Sequence, residues 1–91
     1  MIAVTIRFWG TLKRPIPRQL ALSIPEPATV GTALREACLL IGGAEAGALE
    51  EELLATGAFL VNGDTVGHRG GLSVHLADGD TLGIVLAVSG G

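Results

Sequence analysis

The first nine residues constrain this chain most. Ile2, Val4, Ile6 and Phe8 alternate with Ala3, Thr5, Arg7 and Trp9. Successive side chains of a strand point to opposite faces, so a period of two over this length predicts a half-buried β-strand. A strand with one apolar face needs partner strands and a cover, and the rest of the chain has to supply both. Gln19–Ile24 repeats the alternation, with Leu20, Leu22 and Ile24 on one face. Residues 10–18 between them hold two prolines and the basic residues Lys13, Arg14 and Arg18. A loop of this length between two alternating runs predicts an antiparallel hairpin.

The period then changes. Pro25 and Pro27 end the second strand, and Thr29 is placed to cap a helix, its hydroxyl accepting an orphan backbone N–H. Val30, Ala33, Leu34, Ala37, Cys38 and Ile41 recur at helical spacing, and Gly42-Gly43 stops the run. Residues 45–56 read as a second, shorter helix around Leu49 and Leu53, ended by Gly57. Residues 58–61 and Thr65-Val66 read as short strands joined by Asn62-Gly63, a pair suited to the two positive φ angles of a type I′ turn. Residues 67–71 form a loop and residues 77–80 a turn. The last strand places Leu82, Ile84, Leu86 and Val88 on one face, and Ser89-Gly90-Gly91 runs off its end. Helices do not separate the strands in regular alternation, so the class is α+β. Hairpin, crossing helix and long final strand together predict a β-grasp: a mixed sheet, one main helix packed across it, and first and last strands parallel at its centre.

Composition sets the outer limits. Ninety-one residues make one domain, spanning 1–91. At 48% apolar and 16% charged residues the chain is not a disordered one. Aromatics are only 3%, so the core is aliphatic. There is no apolar run of about 20 residues to span a membrane and no secretory pattern at the start, so the expected location is the cytoplasm. A net charge of −3 speaks against a basic nucleic-acid-binding surface.

Few residues are arranged for catalysis. There is no phosphate-binding P-loop, and Cys38 alone forms neither an intramolecular disulfide nor a cysteine-pair zinc site. No metal site is expected: His68 and His75 are seven apart without a third ligand nearby, and read as solvated residues. Cys38 lies on the apolar stripe of the helix, where a buried inert thiol is the expectation. Asp78 and Asp80 flank Gly79 in a turn that favours aspartate. Glu50, Glu51 and Glu52 read as a solvated helix face or a contact for a basic partner. Arg14 and Arg18, with Lys13, read as a solvated loop or a docking site for an acidic partner. What remains is the tail: Val88 and Ser89, then Gly90 and Gly91, slim enough to thread a narrow channel. The Gly91 carboxylate is the one group there able to react, once an ATP-using partner has made it an acyl adenylate. A chance glycine end is the alternative.

In order and spacing, several segments resemble the small ubiquitin-like sulfur carriers of the MoaD/ThiS group, most closely its MoaD-like and CysO-like members. They are Thr11-Leu12-Lys13-Arg14-Pro15, Thr29-Val30, Val61-Asn62-Gly63, Gly70-Gly71-Leu72, Ala77-Asp78-Gly79-Asp80 and Ala87-Val88-Ser89-Gly90-Gly91. The resemblance spans essentially the whole length. It implies a carrier that is not itself an enzyme and binds no cofactor. Its Gly91 carboxylate is adenylated with ATP by an E1-like adenylyltransferase of the MoeB/ThiF type and converted to a thiocarboxylate. The thiocarboxylate then gives up sulfur in a synthase such as a MoaE-type large subunit. Molybdopterin synthesis is the favoured pathway; cysteine or thiamine-thiazole synthesis are the others. The resemblance also implies docking through the apolar sheet face and Leu86. One departure stands out. Many relatives carry proline just before the last four residues, where this chain has Leu86-Ala87. The final strand is accordingly expected to pair to about Val85 and release residues 86–91 as an exposed, mobile tail. The alternatives are a ubiquitin-like modifier joined to target lysines through Gly91, for which the sole lysine, Lys13, limits self-linked chains, and a plain protein-interaction domain.

Overall fold

A computed structural model describes residues 1–10, 16–67 and 69–86. The alternating N-terminal segment is strand β1 (Ile2–Trp9), followed by β2 (Gln19–Ile24) and a two-residue strand β3 (Ala28–Thr29). Helix α1 (Val30–Gly42), a 3₁₀ turn (Gly43–Glu45) and helix α2 (Ala46–Thr56) come next. Strands β4 (Gly57–Val61) and β5 (Asp64–Gly67), a second 3₁₀ turn (Arg69–Ser73), β6 (His75–Leu76) and β7 (Thr81–Leu86) complete the chain.

Five strands form one mixed sheet in the order β2-β1-β7-β4-β5. The hairpin is antiparallel, pairing Ile2 with Ile24 and Ile6 with Leu20. At the centre β1 and β7 run parallel, with Phe8 opposite Ile84 and Trp9 opposite Val85. Both the hairpin and the central parallel pair agree with the sequence reading, and the architecture is the ubiquitin-like β-grasp.

The alternation decides which face is covered. Ile2, Val4, Ile6 and Phe8 are buried, and Leu82, Ile84 and Leu86 of β7 and Phe59 of β4 join them. Helix α1 contributes Val30, Ala33, Leu34, Ala37 and Cys38, and α2 adds Leu49 and Leu53. Thr29 caps α1 as expected: its hydroxyl accepts the Thr32 N–H at 3.2 Å, and the Thr32 hydroxyl accepts the Thr29 N–H at 2.7 Å. The β4–β5 connection has Asn62 at φ 52° and Gly63 at φ 90°, the positive pair a type I′ turn requires.

The structure corrects one expectation and adds one element. Leu86 is not the start of a free tail. It is the last residue of β7, pairs with Gly57 of β4, and is 2% exposed. The inward register of Leu82 and Ile84 carries through to it. Burying a leucine is worth about 1.5–3 kcal/mol, so the strand holds this residue and a tail begins no earlier than residue 87. The added element is a second sheet, β3 with β6, pairing Ala28 with Leu76 and Thr29 with His75. It ties the start of α1 to the segment ahead of β7. No helix among the described residues is long and apolar enough to cross a membrane.

Candidate functional site

The site is built around the end of β7, because that strand delivers whatever follows Leu86. Gly10 follows β1 with φ +103°, a conformation that side chains strain against. A Cβ there would lie 2.8 Å from the Leu86 carbonyl oxygen. Glycine thus lets the β1–β2 connection turn directly against the last residue of β7. The exit point is held between β1 on one side and β4, through the Gly57–Leu86 pair, on the other.

The sheet face opposite the helices carries an apolar patch beside this exit. Trp9, 44% exposed, and Val85, 40% exposed, are neighbours across the central parallel pair. Ala58 pairs with Val85 and Leu60 with Gly83 on the adjoining strand, both half-buried. The Trp9 indole lies over Gly83, where a Cβ would come within 2.5 Å of the ring. The Arg7 guanidinium sits 5.3 Å from the centroid of the same ring, a cation–π stack on an exposed surface. Trp9 was legible only as the outward member of an alternating strand. Being the chain's one tryptophan, on the solvent side, was the signal that marks it.

Next to the patch a concavity of about 360 Å³ is lined by Arg7, Phe8, Trp9, Gly10 and Arg18. The Arg18 carbonyl accepts the Phe8 N–H at 2.9 Å, which fixes the end of the loop against β1. Arg7 and Arg18 are exposed, and among the described residues neither is in an ion pair. Elsewhere, Arg35 of α1 pairs with Glu50 of α2 at 4.0 Å.

The remaining sequence candidates fall into place as structural groups. The Asp78 carboxylate accepts the Ala3 N–H at 2.7 Å, anchoring the start of β1. Asp80 accepts the Ala77 N–H at 2.8 Å and the Asn62 amide at 2.9 Å, and the Asn62 carbonyl accepts the Thr81 N–H at 2.9 Å. These bonds, the Ala77 N–H first, hold the Asp80 carboxyl below the usual carboxylate range. Cys38 is buried, and loss of solvation, with the charge of Glu50 behind it, pushes its thiol up to about 11. It stays protonated and inert at neutral pH. His75 is exposed on β6, and His68 lies outside the described residues. No group of metal-ligating side chains gathers among the described residues. Arg14, Val88, Ser89, Gly90 and Gly91 also lie outside them. Of the docking residues expected from the sequence, the structure places Arg18 beside the exit and withdraws the Leu86 side chain into the core. It brings forward Trp9, Val85 and Arg7 instead.

Comparison with known proteins is consistent with this geometry. Several solved structures share the fold, three of them as follows. The Haloferax volcanii HVO 2177 protein, solved in solution, matches with TM-score 0.70 and 26% identity, over 99% of this chain and 87% of that one. A Pyrococcus furiosus protein described as molybdopterin converting factor, subunit 1, matches with TM-score 0.64 and 18% identity, over 97% of this chain and 100% of its own. Haloferax volcanii SAMP1 matches with TM-score 0.64 and 22% identity, over 98% and 99%. At those identities the last two speak to the fold alone. A sequence search of curated proteins finds no match. The ThiS family model, however, matches residues 6–91, nearly the whole chain and through the Gly90-Gly91 end, and the chain therefore belongs to the ThiS family of small, ubiquitin-fold sulfur carriers.

Proposed function

We propose that the chain carries sulfur as a thiocarboxylate on Gly91. The observation that carries this reading is the family match through residue 91. An E1-like adenylyltransferase of the MoeB/ThiF type joins the Gly91 carboxylate to the α-phosphate of ATP, and pyrophosphate leaves. A sulfide-level nucleophile then attacks the acyl carbon and AMP departs, so that one carboxylate oxygen has been exchanged for sulfur. A synthase with a MoaE-type large subunit takes the sulfur, molybdopterin being the favoured product. ATP belongs to the adenylating partner, and the encounter takes place in the cytoplasm.

The geometry supports a division of labour. The Trp9–Val85 patch offers the partner an aromatic anchor with apolar surroundings, the pattern of an interface hot spot. The five residues after Leu86 span at most about 17 Å when extended, enough to carry a carboxylate away from the sheet into a partner's site. Glycines at 90 and 91 keep the last part slim.

Intact-mass spectrometry after incubation with the E1-like enzyme, ATP and a sulfur source tests the reading. One oxygen-to-sulfur exchange, absent in a chain lacking Gly91, is the expected result. Normal AMP formation by the Gly91-deleted chain would sink it, and stable adducts between Gly91 and target lysines would establish the modifier reading instead.

A further inference from the structure

We infer that the cleft between Arg7 and Arg18 receives an acidic loop of the adenylating partner and governs encounter, not chemistry. The inference rests on the carrier reading above.

Charge placement is the first ground. The chain carries a net charge of −3, yet none of its carboxylate side chains is among the described residues that line this concavity. Glu36, Glu45, Glu50, Glu51 and Glu52 lie on the helical side, and Asp78 and Asp80 sit by the start of β1, where Asp78 binds the Ala3 N–H. Arg7 and Arg18 stand at the opposite end of that strand, beside the point where β7 ends. Two cations without an acidic partner among the described residues, in a shared concavity of a chain with net negative charge, are complementary to a negative surface.

Geometry is the second ground. Arg7 is stacked on Trp9, so its guanidinium is held in place before any partner arrives. Arg18 is fixed at its backbone by the bond to Phe8. Both arginines sit beside the end of β7, and the five residues that follow Leu86 span at most about 17 Å when extended. A tail extended into a partner's site carries the carboxylate away from the sheet, while these arginines stay at its edge. What they meet is the rim around the entrance, and carboxylates are the groups a guanidinium fork grips best.

The test uses the full chain and the E1-like enzyme of the same organism, with pyrophosphate release followed against carrier concentration. Salt is set at about 0.05 M and about 0.5 M, spanning weak and strong screening. The R7Q/R18Q double variant is expected to raise KM about tenfold at the lower salt, as the loss of steering charges does, with kcat at saturation retained and salt dependence flattened. The R7K/R18K variant keeps the charge and should recover most of the salt dependence. An unchanged KM in R7Q/R18Q, or a loss confined to kcat, overturns the inference while leaving the carrier reading intact. No turnover by the parent chain overturns the carrier reading itself, and this inference with it.

Discussion

Shortening Leu86 to alanine tests where the fold ends and the tail begins. The side chain is 2% exposed, faces the core with Leu82 and Ile84, and belongs to the strand position paired with Gly57. Leucine-to-alanine changes at buried sites cost about 2–5 kcal/mol, from lost transfer energy and the cavity left behind. Position 86 is the last of its strand, where neighbours can relax into the space, so the lower part of that range applies, about 2–3 kcal/mol. A domain of this size has roughly 5–13 kcal/mol in total, and each kcal/mol moves the midpoint by about 4–8 °C. The expected fall in Tm is therefore about 10–20 °C. Urea unfolding followed by far-UV circular dichroism measures the difference, provided the denaturant slope is unchanged. Val85→Ala is the internal control: its side chain is 40% exposed on the other face and should cost less than about 1 kcal/mol. If Leu86→Ala costs no more than Val85→Ala, the strand does not hold residue 86 and the tail begins there after all.

Further outcomes follow from the same geometry. Gly83→Ala should push the Trp9 indole off the sheet, since the new methyl would fall 2.5 Å from the ring, and a red-shifted tryptophan emission with Tm nearly unchanged is the expected signature. Cys38 should resist alkylation at pH 8 in the folded protein and react once unfolded; Cys38→Ser should keep sulfur transfer at a cost of about 1–3 kcal/mol in stability. Because the folded thiol is raised to about 11, the folded state binds the extra proton above the unfolded pKa. Stability present below pH ~9 is therefore lost as pH climbs towards 11, by about 3 kcal/mol, and Cys38→Ala should remove that slope. Asp80 has the opposite sign: its lowered pKa stabilises the fold above the usual carboxylate range and loses that contribution as acid protonates it, so Asp80→Asn should flatten the acid limb of a pH–Tm curve.

Local chemistry alone determined much of this protein. The period of two in β1, the helical spacing with its threonine cap in α1, and the Asn62-Gly63 turn each depend on residues a few positions apart, which is why they are readable without a fold. The aliphatic make-up of the core and the Gly90-Gly91 end are equally plain in the sequence. Tertiary structure decided the rest, because it concerns partners distant in sequence. The two residues of β3 have no strand signal of their own and pair only because β6 is brought alongside them. Leu86 carried the inward register in plain sight, yet whether β7 continued that far depended on β4 being there to pair with it. The candidate site shows the same dependence. Trp9 and Val85 become one patch only when the first and last strands lie parallel, and Arg7 and Arg18 become one cleft only when the loop end bonds to β1. Alternation tells which face a side chain takes, but its neighbours on that face are set by strand order, which long-range burial alone can choose.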